Sequence, residues 1–216
     1  MQKRLSICLI TLFILAGSLC VEAVYLVHEH GELPLLSYTA SVEINDQIAV
    51  TSLVMVFHNP NEHAVQAGIN FPISETAAIH KYTLTDSEGN VLVDSETESN
   101  SAVDTFSDTD QKAQGSFTAG TSNVASRARV TLLIEYSELL PYRSGKAVYT
   151  LPFALKEKQN TKLETTSIKI SIRDQNEIAN VVSNWQSVST NKADKGTWNV
   201  EFEQNKYLPE NDFMLN

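Results

Sequence analysis

The stretch Leu35–Phe57, which reads LLSYTASVEINDQIAVTSLVMVF, decides the fold. Residues 35–44 and 48–57 are rich in Val, Ile, Thr, Tyr and Phe, the residue types that are enriched in strands. The polar step Asn45-Asp46 separates the two runs. In the second run apolar residues occur on both alternating faces, which is typical of a strand in the middle of a sheet. The stretch therefore predicts two antiparallel strands joined by a short turn.

Turn residues divide the rest of the chain at similar intervals. His58–Glu62 contains Pro and two Asn, and Asp86–Asn90 ends in Gly-Asn, so both segments are predicted to be turns. Between the turns, alternating apolar residues predict further strands at 64–71, 79–84, 91–93, 127–136, 146–151, 168–172, 181–185 and 198–202. Short strands at this spacing predict an all-β fold, an antiparallel β-sandwich.

Residues 96–114 interrupt the alternation. Ala102, Val103, Phe106 and Ala113 fall near one helical stripe, and a glycine follows where a helix would end. Ser, Thr, Asn and Asp fill the other positions and have poor helix propensity, so this helix would depend on packing. We expect one short surface helix here.

The first residues have the layout of a secretory signal. Lys3 and Arg4 precede an apolar run from Leu5 to Leu19. The run is shorter than the roughly 20 residues that a membrane span needs, so we expect no permanent span. The sequence predicts an exported protein that is periplasmic, on the cell surface or extracellular.

The cleavage site is predicted from the small residues that follow. Val21 and Ala23 stand where signal peptidase reads the chain, which favours a cut after Ala23. Cuts after Ala16 or Cys20 are alternatives. A lipid anchor on Cys20 is disfavoured because the preceding Leu19 is large.

Composition excludes several classes of partner and bond. Apolar residues make up 42% and charged residues 19% of the 216 residues, as in an ordinary globular chain. Sixteen Lys and Arg against 26 Asp and Glu give a net charge of -10, which repels phosphate backbones, so we expect no nucleic acid partner. The two cysteines, Cys8 and Cys20, lie in or beside the signal segment, and the mature chain is predicted to contain no disulfide.

The region after the second predicted turn is acidic and contains no Lys or Arg between its carboxylates. These carboxylates are Asp86, Glu88, Asp94, Glu96, Glu98, Asp104, Asp108 and Asp110. The spacing lacks the calcium-loop pattern of alternating Asp residues, a Gly and a terminal Glu. A solvated acidic face is the favoured interpretation, and such a face would attract a basic protein partner.

Histidine and tryptophan provide the other candidates for a site. His28 and His30 flank Glu29, and His58 and His63 flank a turn, but neither group supplies a clear third metal ligand. His80 is solitary. Trp185 and Trp198 stand at apolar positions of predicted strands, which favours the core over the surface on which an aromatic ring would stack against a sugar. Carbohydrate binding is the alternative interpretation.

Motifs for catalysis are missing from the sequence. No Gly-x-Ser-x-Gly motif and no phosphate-binding glycine loop occurs. We therefore predict that the protein is not an enzyme, has no cofactor, and has no catalytic, cofactor-binding or metal-binding residues. The carboxylate pair of a glycosidase is placed by the fold rather than by spacing, so a hydrolytic envelope protein stays open as an alternative.

Several short motifs occur in a recognisable order. They are Phe57-His58-Asn59, Asn70-Phe71-Pro72-Ile73, Ala77-Ala78-Ile79, Phe117, the run 130–136 and Tyr149-Thr150-Leu151-Pro152-Phe153. Together they resemble the VIT domain (vault protein inter-alpha-trypsin domain) over residues 34–155. The resemblance implies a noncatalytic module with a structural or protein-interaction role.

The chain departs from this family in two places. The predicted helix is acidic and Ser-rich, whereas the family has a Tyr- and Ala-rich helix with basic residues. The stretch 209–215 resembles the part that leads into a von Willebrand factor A domain, but the Asp-x-Ser-x-Ser metal signature of that domain does not occur in this sequence. The expected partner is accordingly a von Willebrand factor A domain or a basic protein surface.

These observations predict three parts of the chain: a signal peptide at 1–23, a VIT-like β-sandwich at 24–155 and a C-terminal strand extension at 156–216 that packs on it. The apolar cluster at 213–215 is expected to pair internally as an edge strand.

Overall fold

A computed structural model describes residues 25–29, 31–95, 116–153 and 162–216. These residues form strands, turns and irregular segments with essentially no helix. The strands are β1 (Tyr25–His28), β2 (Gly31–Glu32), β3 (Leu35–Asn45), β4 (Ile48–His58), β5 (Val65–Pro72), β6 (Ala77–Asp86), β7 (Val91–Asp94), β8 (Ser116–Val124), β9 (Arg129–Leu139), β10 (Tyr142–Arg143), β11 (Lys146–Ala147), β12 (Tyr149–Leu151), β13 (Leu163–Arg173), β14 (Ser189–Lys192), β15 (Thr197–Tyr207) and β16 (Phe213–Leu215).

Two main sheets form the predicted sandwich. The larger sheet has the order β14-β15-β13-β3-β4-β9-β6-β7, and the smaller has the order β2-β1-β5-β8. Two short pairs, β10-β11 and β12-β16, complete the described strands. Neighbours in the larger sheet are antiparallel except for β13, which runs parallel to β3. The predicted all-β sandwich is confirmed.

The core lies between the sheets and follows the predicted alternation. On β4 the inward residues Ala49, Leu53, Met55 and Phe57 are fully buried, and the inward residues of β9 face them. Burying one Leu, Met or Phe side chain stabilises the fold by about 2 kcal/mol. The inward faces predicted for 65–71 and 130–136 are buried in the same cluster.

Both central hairpin turns form as predicted. Asp46 adopts φ 53° in the turn between β3 and β4, a conformation that Asp tolerates. Gly89 adopts φ 86° between β6 and β7, and its amide donates to the Asp86 carbonyl. The side chain and backbone of Asn90 donate to the Asp86 carboxylate and lower the pKa of that carboxyl.

The strand predicted at 181–185 is wrong. Residues 179–182 are irregular, and Ser183 makes a single bridge to Leu215. The Trp185 indole donates to the carbonyls of Asn211 and Asp212, and Asn184 accepts from the Met214 amide. Backbone hydrogen bonds of Val182 with Asn216 and of Asn184 with Met214 also hold this segment, so a short bridge and the buried Trp185 replace the predicted strand.

Five strands were not predicted from the sequence: β1, β2, β8, β10 and β14. β8 reads SFTAGTSNV, which is a turn-like composition, and it becomes a strand by pairing along the whole of β5. β1 pairs with the other side of β5 and buries Leu26 completely. Tertiary pairing overrides local propensity in both cases.

Three of the four C-terminal strands, β13, β14 and β15, are part of the larger sheet. β13 pairs with β3 on one side and β15 on the other. β16 pairs with β12 and buries Phe213 and Leu215, as predicted for this cluster. The predicted limits of the three parts stay a prediction.

Two predictions lie outside the described residues: the signal peptide at 1–23 and the surface helix within 96–114. Among the residues that are described, no helix has the length and apolar character needed to cross a bilayer.

Candidate interaction surface

The outer face of the larger sheet carries an apolar stripe on β4 and β9. Because the inward positions of β4 are buried, its alternate residues point away from the core: Ile48 is 53%, Val50 47% and Val54 37% exposed. Leu139 on β9 is 52% exposed and stands opposite Ile48, while Leu133 stands opposite Val54. We call these five residues the outer stripe.

Cross-strand register pairs Ile48 with Leu139 and Val54 with Leu133, and the polar pair Ser52 and Glu135 lies between them on the same face. Directly opposed side chains on neighbouring antiparallel strands have their Cβ atoms about 5 Å apart. Single exposed aliphatic residues are ordinary, but several in register form the kind of apolar patch that marks an interaction site. The sequence placed apolar residues on both faces of β4, and the structure leaves one of those faces to solvent.

Polar and charged residues border the outer stripe. Glu43 on β3 stands opposite Val50, and Glu135 on β9 stands between Ser52 and Lys81. Beyond Glu43 lies a shallow depression of about 160 Å³ lined by β3, β13 and β15. An apolar centre with a polar rim is the usual composition of a protein interface.

The motif Phe57-His58-Asn59 ends β4 and fixes the adjoining turn. Asn59 is completely buried, and its amide group donates to the carbonyls of His63, Val124 and Ala125. Its Oδ1 atom accepts from the backbone and side chain of Asn61. The buried Asn59 amide thus joins the turn after β4 to the end of β8. These bonds need a side chain that both donates and accepts, which explains the Asn in the motif.

Comparison with known families identifies this arrangement. The vault protein inter-alpha-trypsin (VIT) domain family matches residues 35–136. Residues 35–136 carry a VIT domain. The match runs from the start of β3 into β9 and includes the Asn59 motif, whereas the sequence motifs suggested limits of 34–155. No curated protein sequence matches the chain.

One solved structure shares the fold of this chain at low identity. A Legionella pneumophila protein, described as a candidate nutrient-binding protein, is 12% identical with a TM-score of 0.53, over 89% of this chain and 68% of that one. The M1 zinc metallopeptidase of Deinococcus radiodurans is 8% identical with a TM-score of 0.47, and the chain covers 42% of its length. At 12% identity, the Legionella likeness shows a common fold alone.

The histidines of the VIT domain chain do not gather into one site. His58 Nδ1 lies 3.2 Å from the Ala128 carbonyl oxygen, and His80 Nε2 lies 2.8 Å from Ser137 Oγ. His28 lies on β1, and His30 is outside the described residues. Among the described residues, no group of three His, Cys, Asp or Glu side chains is placed to hold a metal ion. The prediction of no metal site stays a prediction.

The described part of the acidic stretch forms a turn. The Asp86 carboxylate accepts hydrogen bonds from the Glu88 and Asn90 amides, and Asp94 ends β7. Glu96, Glu98, Asp104, Asp108 and Asp110 lie outside the described residues.

Trp185 belongs to the core of the chain, as predicted. It makes edge contacts with Phe153, Phe202 and Phe213 at centroid distances of 5.0–5.3 Å. Trp198 is half-buried, and Lys192 Nζ lies 5.7 Å from its ring centroid. Neither tryptophan therefore offers an open ring face in the way that a sugar-stacking residue does.

One spacing was missed in the sequence: Ser189 and Lys192 form a Ser-x-x-Lys motif, which serves nucleophilic serine enzymes. Both residues lie on the edge strand β14, where residues three apart point to opposite faces. Lys192 Nζ is bonded to the Glu177 carboxylate and the Ile178 carbonyl. The strand geometry does not present this pair as nucleophile and base.

A buried polar cluster lies on the inner side of β4 and β9. Thr51 Oγ1 is 2.8 Å from the Tyr149 hydroxyl, and both groups hydrogen-bond with Tyr136. Burial raises the pKa values of Tyr136 and Tyr149. Glu138, two residues farther along β9, is also buried, and burial raises the pKa of its carboxyl to about 7. Glu138 continues the inward alternation of β9 beyond the strand predicted at 127–136. A charged residue does not suggest burial, so the sequence did not indicate this position.

Proposed function

We propose that this VIT domain protein is an exported, noncatalytic module that binds another protein through the outer stripe. The observation that carries the proposal is the exposure of Ile48, Val50, Val54 and Leu139, four aliphatic side chains on the outer face of the central strands β4 and β9. The VIT family supports a protein-interaction role. Export is supported by the signal-like residues 1–23.

The partner that we propose is a protein surface with an apolar centre and a basic rim. The apolar centre would cover the outer stripe, since removing aliphatic surface from water contributes about 25 cal/mol per Å². Basic groups would meet Glu43 and Glu135, and the net charge of -10 would speed their approach. A von Willebrand factor A domain is the partner that the family resemblance suggests.

Absence of catalysis is part of the same proposal. His58 and His80 contact a carbonyl oxygen and a hydroxyl, and no acidic orienting group is seen on either ring among the contacts that the structure describes. A nucleophile, a base and an orienting group in mutual contact are what a catalytic site requires. The alternative is a carbohydrate-binding or hydrolytic protein. Because Trp185 is buried, it does not support sugar binding.

Paired isosteric variants test the proposed surface. Val50→Thr with Val54→Thr keeps side-chain shape and strand propensity while making the centre of the outer stripe polar. Val91→Thr is the matched control, since Val91 is an exposed valine on the edge strand β7. The wild-type protein and Val91→Thr should capture the same partner from the envelope extract of the source cells, and the double variant should lose it.

Binding strength is then measured with the purified partner. A loss of tenfold or more in affinity for the double variant alone supports the surface, and weaker binding at high salt supports the basic rim. Equal affinity in all three proteins places the binding elsewhere and refutes the assignment.

A further inference from the structure

A cleft opens at the end of the sandwich where β3 turns into β4. Its volume is about 420 Å³. Three segments surround it: the β3–β4 turn, the loop after β13 and the hairpin β10–β11. Its lining residues are Asp46, Gln47, Tyr142, Ala147, Asp174, Gln175 and Asn176.

Backbone hydrogen bonds hold the walls of the cleft in place. The Asp46 amide donates to the Arg173 carbonyl at 2.8 Å, and the Gln175 amide donates to Asp46 Oδ1 at 3.2 Å. On the other side, the Leu140 amide donates to the Gln47 carbonyl at 2.7 Å. A ligand would therefore meet a largely formed site, which lowers the entropy cost of binding.

Tyr142 supplies an aromatic surface to this cleft. Tyr142 is 58% exposed, which is the largest value among the exposed large apolar residues that the structure describes. The hairpin pairing Tyr142↔Ala147 fixes the backbone from which it projects. An aromatic ring that stays open to solvent in a polar cleft gains stability when the apolar face of a ligand covers it.

The other lining side chains are hydrogen-bonding groups. The side-chain amides of Gln47 and Gln175 each carry two donor hydrogens and an acceptor, and the Asn176 amide, which donates one hydrogen to Asp174 Oδ1, carries a second donor hydrogen and an acceptor. Asp46 Oδ1 accepts from the Gln175 amide across the cleft wall, and Asp174 Oδ1 accepts from the Asn176 amide in its own loop. Each carboxylate has a second oxygen that can accept from a hydroxyl.

We infer that this cleft binds a neutral mono- or disaccharide. A sugar ring presents C–H groups to an aromatic face and hydroxyls to amides and carboxylates, which is the mixture of chemistry that lines the cleft. Two carboxylates disfavour phosphate and other anionic ligands by charge repulsion. The volume falls within the range of about 300–1,000 Å³ that small-molecule sites occupy.

The inference is independent of the proposed protein-binding surface. Tyr142 and Gln175 lie at the end of the sandwich, whereas Val50 and Val54 lie on the outer face of β4. In this inference the sugar stacks on Tyr142 and not on either tryptophan. Variants at the two places are expected to affect different ligands.

The test uses a panel of soluble neutral sugars: glucose, galactose, mannose, N-acetylglucosamine, cellobiose and lactose. Saturation-transfer NMR with the full chain detects weak contact, and titration calorimetry gives the dissociation constant. At least one sugar should bind, and Tyr142→Ala should weaken it about fivefold to tenfold. Tyr142→Phe should bind as well as the wild type, because stacking uses the ring face.

Two further variants separate recognition from loss of folding. Gln175→Ala removes an amide from the cleft and should weaken sugar binding, whereas Gln204→Ala, on exposed β15, should leave it unchanged. Thermal melting of each variant should match the wild type. Failure of every sugar to bind, or retention of binding in both Tyr142→Ala and Gln175→Ala, overturns the inference.

Discussion

The polar side chains at the two ends of β4 differ in their burial and in their hydrogen bonds. At the C-terminal end, the buried Asn59 amide makes five hydrogen bonds and closes the turns at 59–63 and 125–128. At the N-terminal end, Asp46 and Gln47 border a cleft of about 420 Å³. We call these the closed end and the open end. The closed end uses its polar side chain for its own backbone, and the open end presents polar side chains to solvent, so stability and recognition are expected to separate between them.

The largest effect is expected for Asn59→Ala at the closed end. The substitution removes all five hydrogen bonds of the Asn59 side chain, including the one to the buried Val124 carbonyl, so the free energy of unfolding should fall by about 4 kcal/mol. The melting temperature should drop by about 10 °C. Asn123→Ala, at an exposed position of β8, is the control and should cost less than about 0.5 kcal/mol. Similar losses for both variants would show that the amide network does not stabilise this end.

A pH-dependent effect is expected near the open end, where β9 finishes. Burial raises the pKa of the Glu138 carboxyl to about 7 from its ordinary value of 4.5, so the folded state holds its proton more tightly than the unfolded state. This contribution to stability is fully present below about pH 4.5 and is lost as the pH rises to 7, by about 3 kcal/mol in total.

Urea unfolding at several pH values measures this contribution of Glu138 to the free energy of unfolding. Glu138→Gln should remove the loss, so that the variant becomes more stable than the wild type above pH 7. Glu135→Gln is the control on the outward face of the same strand and should keep the wild-type slope. A Glu138→Gln profile that still falls from pH 4.5 to 7 by the wild-type amount would assign the slope to other groups.

A moderate effect is expected at the loop that forms one wall of the cleft. A Cβ atom on Gly196 would lie 2.3 Å from the Asp174 carbonyl oxygen, so Gly196→Ala must displace backbone. We expect a loss of about 2 kcal/mol and weaker sugar binding in the cleft. Gly68→Ala is the matched control, because its nearest neighbour would be 3.5 Å away. Unchanged stability and sugar affinity in Gly196→Ala would mean that this wall adapts without cost.

The sequence predicted the fold better than the sites, for physical reasons. Alternation on residues 48–57 and 65–71 reflects burial of one strand face, so pattern alone located these strands and their inward residues. β8 has no such pattern, because its pairing with β5 supplies the structure. Trp185 was placed correctly in the core but wrongly on a strand, since apolar character predicts burial without predicting a ladder.

The cleft and the outer stripe depend on contacts between distant segments. Asp46 and Gln175 are 129 residues apart and meet only because β13 adds in parallel to β3. A parallel pairing leaves no mark on local sequence, so no motif indicated the cleft. Val50 and Val54 were recognisable as strand residues, but their exposure depends on the absence of a covering layer over that face in the described residues.

The smallest effect is expected for the ion pair between Arg129 and Glu164, which lies where β9 begins, near the closed end. The guanidinium donates to both carboxylate oxygens at 2.9 and 3.1 Å, but about half of each side chain is exposed. Solvent screens such pairs, so a double-mutant cycle with Arg129→Ala and Glu164→Ala should give a coupling of about 0.5 kcal/mol that decreases at high salt. The neutral amide of Asn59 should therefore stabilise the same end several times more than this charged pair, because burial excludes the competing water. A coupling above about 1.5 kcal/mol that persists in 1 M salt would show that solvent does not screen this pair, and would make charge as well as burial a source of stability at the closed end.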